Sequence, residues 1–201
     1  MSKYKKRVKY IRKFGTNLLG FTTKSANKRK NKPGEHAFFV SNKTAVKESF
    51  LFRLQNKQKL KLFFCLSERQ LRNYYNLVLS SQEKNPIILL YNILNLRFDF
   101  LVYKYNLAKT IPQARQLIVH GLIRLNSLRI KAPGHICKVG DVIFTTSDIV
   151  LQNIKVYNLY RVTFDETVKI MEGSIVCNVQ KPRLIDVNIL SLIQQSFEYF
   201  F

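Results

Sequence analysis

Residues 110–126, which read TIPQARQLIVHGLIRLN, limit what this chain can fold into more than any other segment. Thr110 and Gln113 have the spacing of a capping box, in which two side chains satisfy backbone N–H groups at a helix start. Gly121 follows the helical pattern, where a residue with positive φ commonly ends a helix. An apolar stripe runs along the predicted helix and consists of Ile111, Ala114, Leu117 and Ile118. The segment therefore predicts a short helix, buried on one face, that leads through a glycine into a strand.

The opposite face of this helix is polar. Arg115 and Gln116 point away from the apolar stripe, and His120 lies toward the same side at the C-terminal end. The whole chain contains 34 Lys and Arg against 12 Asp and Glu, which gives a formal net charge of +22. Such a balance is typical of nucleic-acid binding. A merely solvated helix face is the alternative, but Arg124 and Arg129 in the predicted hairpin favour contact with RNA.

The positive charge is concentrated in the front and middle of the chain. Residues 1–34 contain 12 Lys and Arg and no acid, whereas residues 141–201 contain 5 basic and 7 acidic residues. The clustered lysines indicate phosphate neutralisation rather than a solvated tail. No apolar run approaches the roughly 18–20 residues of a membrane-spanning helix, so no membrane partner is expected. The three cysteines form no CxxC pair and the three histidines lack metal spacing, so neither a metal nor a cofactor is expected.

The pattern along the chain predicts an α+β protein with a basic N-terminal arm, a mostly helical domain, and a small helix-hairpin RNA-binding domain with an antiparallel sheet. Residues 1–41 form the arm, which is expected to order only against a partner. Residues 42–94 form the helical domain, joined by a C-terminal helix at about 187–201. Residues 95–186 form the α+β domain, which contains the RNA-binding motif at about 96–144.

Helical spacing and strict alternation of apolar residues predict the helices and strands within these domains. Phe50, Leu51 and Leu54 recur at helical spacing and are expected to pack. Ser67 and Gln70 form a second capping box, which opens a helix. The remaining predicted elements are helices at about 87–96, 98–105, 111–120 and 189–201 and strands at 123–125, 128–130, 142–144, 155–162 and 174–179.

Several short motifs resemble one family. They are Leu96–Asp99, Thr110–Leu117, His120–Gly121, Asn126, and Lys138 with Gly140–Asp141. Together they resemble the small RNA-binding domain of small-subunit ribosomal protein four, a domain that pseudouridine synthases, tyrosyl-tRNA synthetases and a heat-shock RNA binder also carry. Four further segments are similar to the ribosomal family in order and spacing, the last more weakly: residues 2–15, 57–60, 66–71 and 173–187. The resemblance therefore covers nearly the full length.

The chain departs from the family pattern at a few positions. Asn106 and Ser127 stand where the family has glycine, and Leu122 stands where a second histidine is frequent. Residues 98–100 read Phe-Asp-Phe in place of Leu-Asp-Asn. Asparagine adopts positive φ more readily than most residues, so the fold is expected to tolerate these changes. They resemble the drift of an organelle-encoded copy.

The resemblance implies a structural constituent of the small ribosomal subunit that binds small-subunit ribosomal RNA, organises RNA helix junctions during assembly and supports translational accuracy. It implies contact with small-subunit proteins five and twelve and a position where messenger RNA enters the ribosome. It implies neither catalysis nor a small-molecule substrate. No extension precedes Met1, so synthesis inside the compartment of use is expected, with a plastid favoured over a mitochondrion or a bacterial cytoplasm.

The candidate RNA-binding residues are basic, polar or aromatic side chains of the arm, the helical domain and the motif. They are Lys3, Tyr4, Lys5, Lys6, Arg7, Lys9, Arg12, Lys13, Lys28, Arg29, Lys30, His36, Lys57, Lys59, Arg69, Arg72, Arg97, Arg115, Gln116, His120, Arg124 and Lys138. His36 resembles the family's Gly-x-His segment, with a loop role as the alternative. Tyr74 and Tyr75 could stack on bases, but their helical spacing favours core packing.

Asp99 raises the question of catalysis, because RNA-modifying relatives use an aspartate. Arg97 and Asp99 are two apart on a predicted helix and are expected not to face each other. Asp99 is expected to partner a backbone or basic group instead. A stand-alone RNA chaperone or an RNA-modifying factor with the same small domain is the alternative function. The length and the lack of a catalytic domain argue against the enzyme, and the matched arm argues against the chaperone.

Overall fold

The computed structural model describes residues 7–15, 20–24, 33, 50–81, 84–145, 168–171, 174–180 and 187–200. Its helices are α1 Arg7–Phe14, α2 Phe50–Phe63, α3 Glu68–Ser80, α4 Pro86–Asn95, α5 Phe98–Lys104, α6 Ile111–His120 and α7 Val187–Phe200. Its strands are β1 Arg124–Leu125, β2 Val142–Thr145, β3 Val168–Met171 and β4 Ser174–Asn178. The predicted strand at 155–162 and the first residues of the predicted helical domain, 42–49, lie outside the described residues.

The chain divides into two compact units. The first unit comprises residues 1–90 and 185–201, and the second comprises residues 91–184. The predicted α+β class is confirmed, since the described part of the first unit is helical and the second adds an antiparallel sheet to its helices. The predicted domain boundaries stay predictions.

The first unit packs α2 and α3 against α7. The capping box at the start of α3 is confirmed: the Ser67 hydroxyl accepts from the Gln70 N–H at 3.2 Å, and the Gln70 side chain accepts from the Ser67 N–H at 3.0 Å. Tyr75 is buried, hydrogen-bonded to the Ser196 hydroxyl and edge-to-face with the Phe197 ring at 4.8 Å. Core packing is therefore confirmed for Tyr75.

The packing face of α2 differs from the predicted one. Phe50 and Leu51 are 60% and 57% exposed, so the expectation that they pack is wrong. The buried side begins one turn later with Asn56, whose amide donates to the Gln195 side chain at 2.5 Å, and continues with Leu60. Phe50 contacts the Tyr199 ring of α7, with 5.2 Å between centroids, but most of its side chain stays in solvent.

The basic arm contains apolar residues that do become buried. Ile11 of α1 is 2% exposed and Phe21 is fully buried. The Tyr10 and Phe21 rings meet edge-to-face, with 6.3 Å between centroids. These two rings contact each other within the arm itself, and the expectation that the arm orders only against a partner stays a prediction.

In the second unit, α6 lies as the sequence predicts. The Thr110 hydroxyl accepts from the Gln113 N–H at 3.4 Å, and the helix ends at Gly121 with φ of +74°. The Gln113 side-chain oxygen accepts from the Lys109 N–H at 2.9 Å, whereas the predicted capping box has it accept from the Thr110 N–H. The apolar stripe is confirmed, since Ile111, Ala114, Leu117 and Ile118 are all buried.

The sheet of the second unit has the order β1-β2-β4-β3, with every pair antiparallel. The predicted hairpin is only partly formed. Asn126 and Ser127 both adopt positive φ, 48° and 68°, as a tight two-residue turn requires. The expected strand at 128–130 is wrong: a single bridge joins Leu125 to Leu128, and β1 pairs with β2 instead.

Candidate nucleic-acid interface

Four residues predicted to bind RNA are exposed on the second unit. Gln116 and His120, four positions apart on α6, share one face of that helix and are both exposed. Arg124 on β1 and Lys138 before the turn into β2 are exposed as well. The buried stripe on the other side of α6 holds Gln116 and His120 toward solvent. They remain candidates for phosphate contact.

A hydrogen-bonded clamp joins the two turns next to this surface. The Asn126 amide donates to Asp141 Oδ1 and its carbonyl accepts from the Val142 N–H, both at 2.8 Å. The other Asp141 oxygen accepts from the Lys138 N–H at 2.8 Å. The Asn126 hydrogen bond, followed by that of the Lys138 backbone, holds the pKa of Asp141 below its ordinary value. The clamp therefore fixes the backbone of Lys138 and commits the neighbouring carboxylate to protein donors.

Arg97 is not available to RNA, which corrects the sequence prediction. Its side chain is 2% exposed, and its Nε and Nη2 atoms donate to the two Asp99 oxygens at 3.1 and 2.8 Å. The expectation that these residues do not face each other is also wrong. Arg97 is the N-cap of α5, with extended backbone (ψ of 137°), so helical spacing does not apply to the pair. Asp99 is confirmed as the partner of a basic group.

Arg115 also departs from its predicted role. Its Nε donates to Asp99 Oδ2 at 2.7 Å, and its side chain is 27% exposed. Arg115 does lie off the apolar stripe, but its guanidinium is directed to a carboxylate that α5 brings to the polar edge of α6. We call Arg97, Asp99 and Arg115 the Asp99 cluster. Two guanidinium groups neutralise one buried carboxylate there, which leaves one net positive charge.

Lys57, in the first unit, also departs from its predicted role. Its ammonium is 2.6 Å from Glu68 Oε1 and 3.8 Å from the centre of the Tyr199 ring, and its side chain is 5% exposed. Lys61 reaches the other Glu68 oxygen at 3.0 Å. Desolvation acts to raise the pKa of Glu68, but the hydrogen bonds from Lys57 and Lys61 outweigh it and lower that pKa. We call Lys57, Lys61 and Glu68 the Lys57 cluster, and its buried lysine holds helices together instead of facing RNA.

The other candidate residues of the first unit divide by exposure. Arg69 and Arg72 on α3 and Lys9 and Lys13 on α1 are exposed, whereas Arg12 is half-buried. Lys59 is half-buried, and its burial lowers the pKa of its ammonium. The structure describes the backbone of Arg7 but not its side chain. Eight candidates lie outside the described residues: Lys3, Tyr4, Lys5, Lys6, Lys28, Arg29, Lys30 and His36.

Sequence reasoning left basic side chains of the second unit out of its set. Lys131 and His135 are exposed in the segment between the two clamped turns, and Arg129 is exposed just before them. Arg129 fell in the predicted strand at 128–130 and served only as support for RNA contact. The only sequence signal of Lys131 and His135 is their type, close to Arg124 and Lys138, because they stand in irregular backbone that a pattern search for helices and strands passes over.

The chemistry of the described residues is not that of a metal or thiol site. Among them, no group of three or more His, Cys, Asp or Glu could hold a metal ion. All three cysteines are buried, and burial raises the pKa of the Cys137 and Cys177 thiols to about 12. Their predicted role as small hydrophobic residues is confirmed. No helix in the described part of the chain is long and apolar enough to cross a membrane.

Comparison with known proteins yields two family matches that together span most of the chain. Residues 3–94 match the ribosomal protein S4/S9 N-terminal domain, and residues 96–143 match the S4 domain. The small ribosomal subunit protein uS4 of Synechococcus sp. (strain JA-3-3Ab) is 38% identical over 144 residues, which cover 71% of this chain and 68% of that protein. The uS4c protein of Prototheca wickerhamii is 38% identical over 147 residues, covering 71% and 70%. The uS4c-2 protein of Cyanidium caldarium is 38% identical over 137 residues, covering 68% of each.

Proposed function

The chain belongs to the small ribosomal subunit protein uS4 family, and from this membership we propose that it is a structural component of the small ribosomal subunit that binds small-subunit ribosomal RNA directly. It acts by binding and not by catalysis. The observation that carries the proposal is the presence of both family domains, in family order, on one chain. The N-terminal domain match also argues against a stand-alone chaperone or modifying factor, which needs only the S4 domain.

Exposed cations on both units supply the means of binding. On the second unit these are Arg124 and Lys138, and on the first unit they are Arg69 and Arg72. Each would neutralise a phosphate and release a counterion, so binding would weaken steeply with salt. Folded RNA is read mainly through shape, phosphates and 2′-hydroxyls, for which a broad basic surface is better suited than a pocket.

The finer features of the role rest on family resemblance. The protein would gather converging RNA helices during subunit assembly and support decoding accuracy. Its neighbours would be small-subunit proteins five and twelve, close to where messenger RNA enters. The plastid-type relatives in Prototheca wickerhamii and Cyanidium caldarium, beside cyanobacterial ones, support placement in a plastid ribosome.

Sedimentation of the tagged protein from cells tests this function. The proposal expects the protein in small subunits at one copy per particle, and expects it to stay there after washing at moderate salt. Recovery only in light fractions, or loss from the subunits while ribosomal RNA stays intact, would reject it.

A further inference from the structure

The end of α6 holds an arginine in one place. Arg129 Nη2 donates to the carbonyl oxygen of His120, the last residue of the helix, at 2.7 Å. The tight turn at Asn126 and Ser127 brings Arg129 back to this position, since Leu125 and Leu128 bridge across it. A cation at a helix C-terminus is favoured by the partial negative charge of the exposed carbonyl groups. Arg129 nevertheless remains an exposed residue.

Gly121 provides the space for this side chain. A Cβ atom at Gly121 would lie 1.9 Å from Arg129 Nε, 2.6 Å from Cζ and 2.7 Å from Cδ. The guanidinium and its last methylene therefore lie directly against the Gly121 backbone, where any other residue would displace them. Gly121 thus serves two purposes, since its φ of +74° also ends the helix. Packing and hydrogen bonding together restrain a side chain that is ordinarily among the most mobile.

A restrained guanidinium on this surface is suited to bind phosphate. Arginine offers five N–H donors in a planar fork, and the His120 carbonyl uses only one edge of it. Holding the side chain in advance lowers the conformational entropy lost when a ligand binds. His120 and Gln116, both exposed on α6, lead along the helix to the same end. Arg129 therefore continues a polar edge that already faces away from the core.

We propose that Arg129, held against Gly121 at the end of α6, is a preorganised phosphate-binding residue of the RNA interface. The ligand is a backbone phosphate of folded small-subunit ribosomal RNA, so the inference rests on the proposed function. Gly121 is its positioning residue, because glycine alone leaves room for the guanidinium.

The test measures binding of the full-length chain to an in-vitro transcript of small-subunit ribosomal RNA from the Synechococcus relative, across a series of KCl concentrations. Arg129→Ala is expected to weaken binding about tenfold and to lower the log–log salt slope by about 0.9. Arg129→Lys keeps the charge but loses the planar fork, so we expect it to keep the slope and lose several-fold in affinity. Lys131→Ala removes an exposed cation two residues away and is the matched control, with a smaller loss of affinity.

The role of Gly121 is tested by a double-mutant cycle. Gly121→Ala should weaken binding as Arg129→Ala does, and should add little when Arg129 is already alanine. Equal affinity and slope for Arg129→Ala, Arg129→Lys and the wild type would overturn the inference and leave the proposed function standing. If Arg129 only caps the helix, Arg129→Ala should leave RNA affinity and salt slope unchanged and lower the melting temperature. Failure of the wild-type chain to bind the transcript overturns the proposed function and this inference with it.

Discussion

The Asp99 cluster of the second unit and the Lys57 cluster of the first each pair one carboxylate with two cations, but they bury different members. Asp99 and Arg97 are 1% and 2% exposed, so the carboxylate and one guanidinium are both removed from water. In the Lys57 cluster the lysine is 5% exposed while Glu68 is 39% exposed. Water therefore screens the charge of Glu68 in the Lys57 cluster but not the charges of Asp99 and Arg97. A basic residue type therefore does not reveal which cations face solvent. Loss of the carboxylate should lower the free energy of unfolding much more at Asp99 than at Glu68.

Asp99→Asn should produce the largest effect. The substitution keeps the volume but removes the negative charge between two guanidinium groups, one of them buried. Breaking a buried ion pair costs about 3–5 kcal/mol. Urea unfolding of the full chain measures the free energy of unfolding. A loss below about 1 kcal/mol, the size typical of exposed pairs, would show that the Asp99 cluster is no more important than a surface contact.

Arg115→Ala and Arg124→Ala separate the two kinds of arginine within one unit. Arg115 donates to the buried Asp99, so its loss should lower the free energy of unfolding by about 2 kcal/mol. Arg124 is exposed on β1, so its loss should change stability by less than about 0.5 kcal/mol and weaken RNA binding. Urea unfolding and RNA-binding curves, measured on both variants, test this difference. Equal stability of the two variants would contradict the assignment of Arg115 to the Asp99 cluster.

Glu68→Gln should have a smaller effect than Asp99→Asn. Glu68 is partly exposed, and solvent screens its pairs with Lys57 and Lys61. We expect a loss of about 1 kcal/mol, at the upper end of exposed ion pairs. The same urea experiment tests it, with Arg69→Gln on the exposed side of α3 as the neutral control. A loss as large as that of Asp99→Asn would remove the contrast between the clusters.

The contribution of Glu68 to stability should also depend on pH. The hydrogen bonds from Lys57 and Lys61 hold the folded pKa of Glu68 below its ordinary value, so the stabilisation by Glu68 is present above that ordinary value and is lost as pH falls through the folded pKa. The stability gap between wild type and Glu68→Gln should therefore shrink between about pH 6 and about pH 3. Unfolding curves at both pH values measure it. A gap that widens in acid would mean that the carboxylate is not held ionised by the two lysines.

Local rules predicted local structure well in this chain. The caps at Thr110 and Ser67 and the glycine end of α6 depend on residues within a few positions of each other, so spacing alone identifies them. The turn at Asn126 and Ser127 is equally local. The pairing of β1 was missed because the alternating pattern at 128–130 lies closer in sequence than the real partner, β2, which follows a long irregular segment.

The misassigned site residues failed for a different reason. Lys57 is buried by Glu68 and by Tyr199, which arrives from α7 far along the chain. Arg97 reaches Asp99 because Arg97 is the N-cap of α5 and has extended backbone, so helical spacing does not keep the two side chains apart. Burial of a cation is decided by the partners that tertiary structure brings to it, and charge patterning along the sequence does not contain that information.

The salt dependence of RNA binding after removal of exposed cations alone tests most directly whether these cations form the RNA interface. The double variant Arg124→Ala/Lys138→Ala changes two exposed side chains outside both clusters. We expect its log–log salt slope, measured with full-length protein and small-subunit ribosomal RNA, to fall by about 1.8, or 0.9 for each phosphate contact, while its urea midpoint stays that of the wild type. An unchanged slope with unchanged affinity would contradict the claim that this exposed surface, and not the buried clusters, binds RNA.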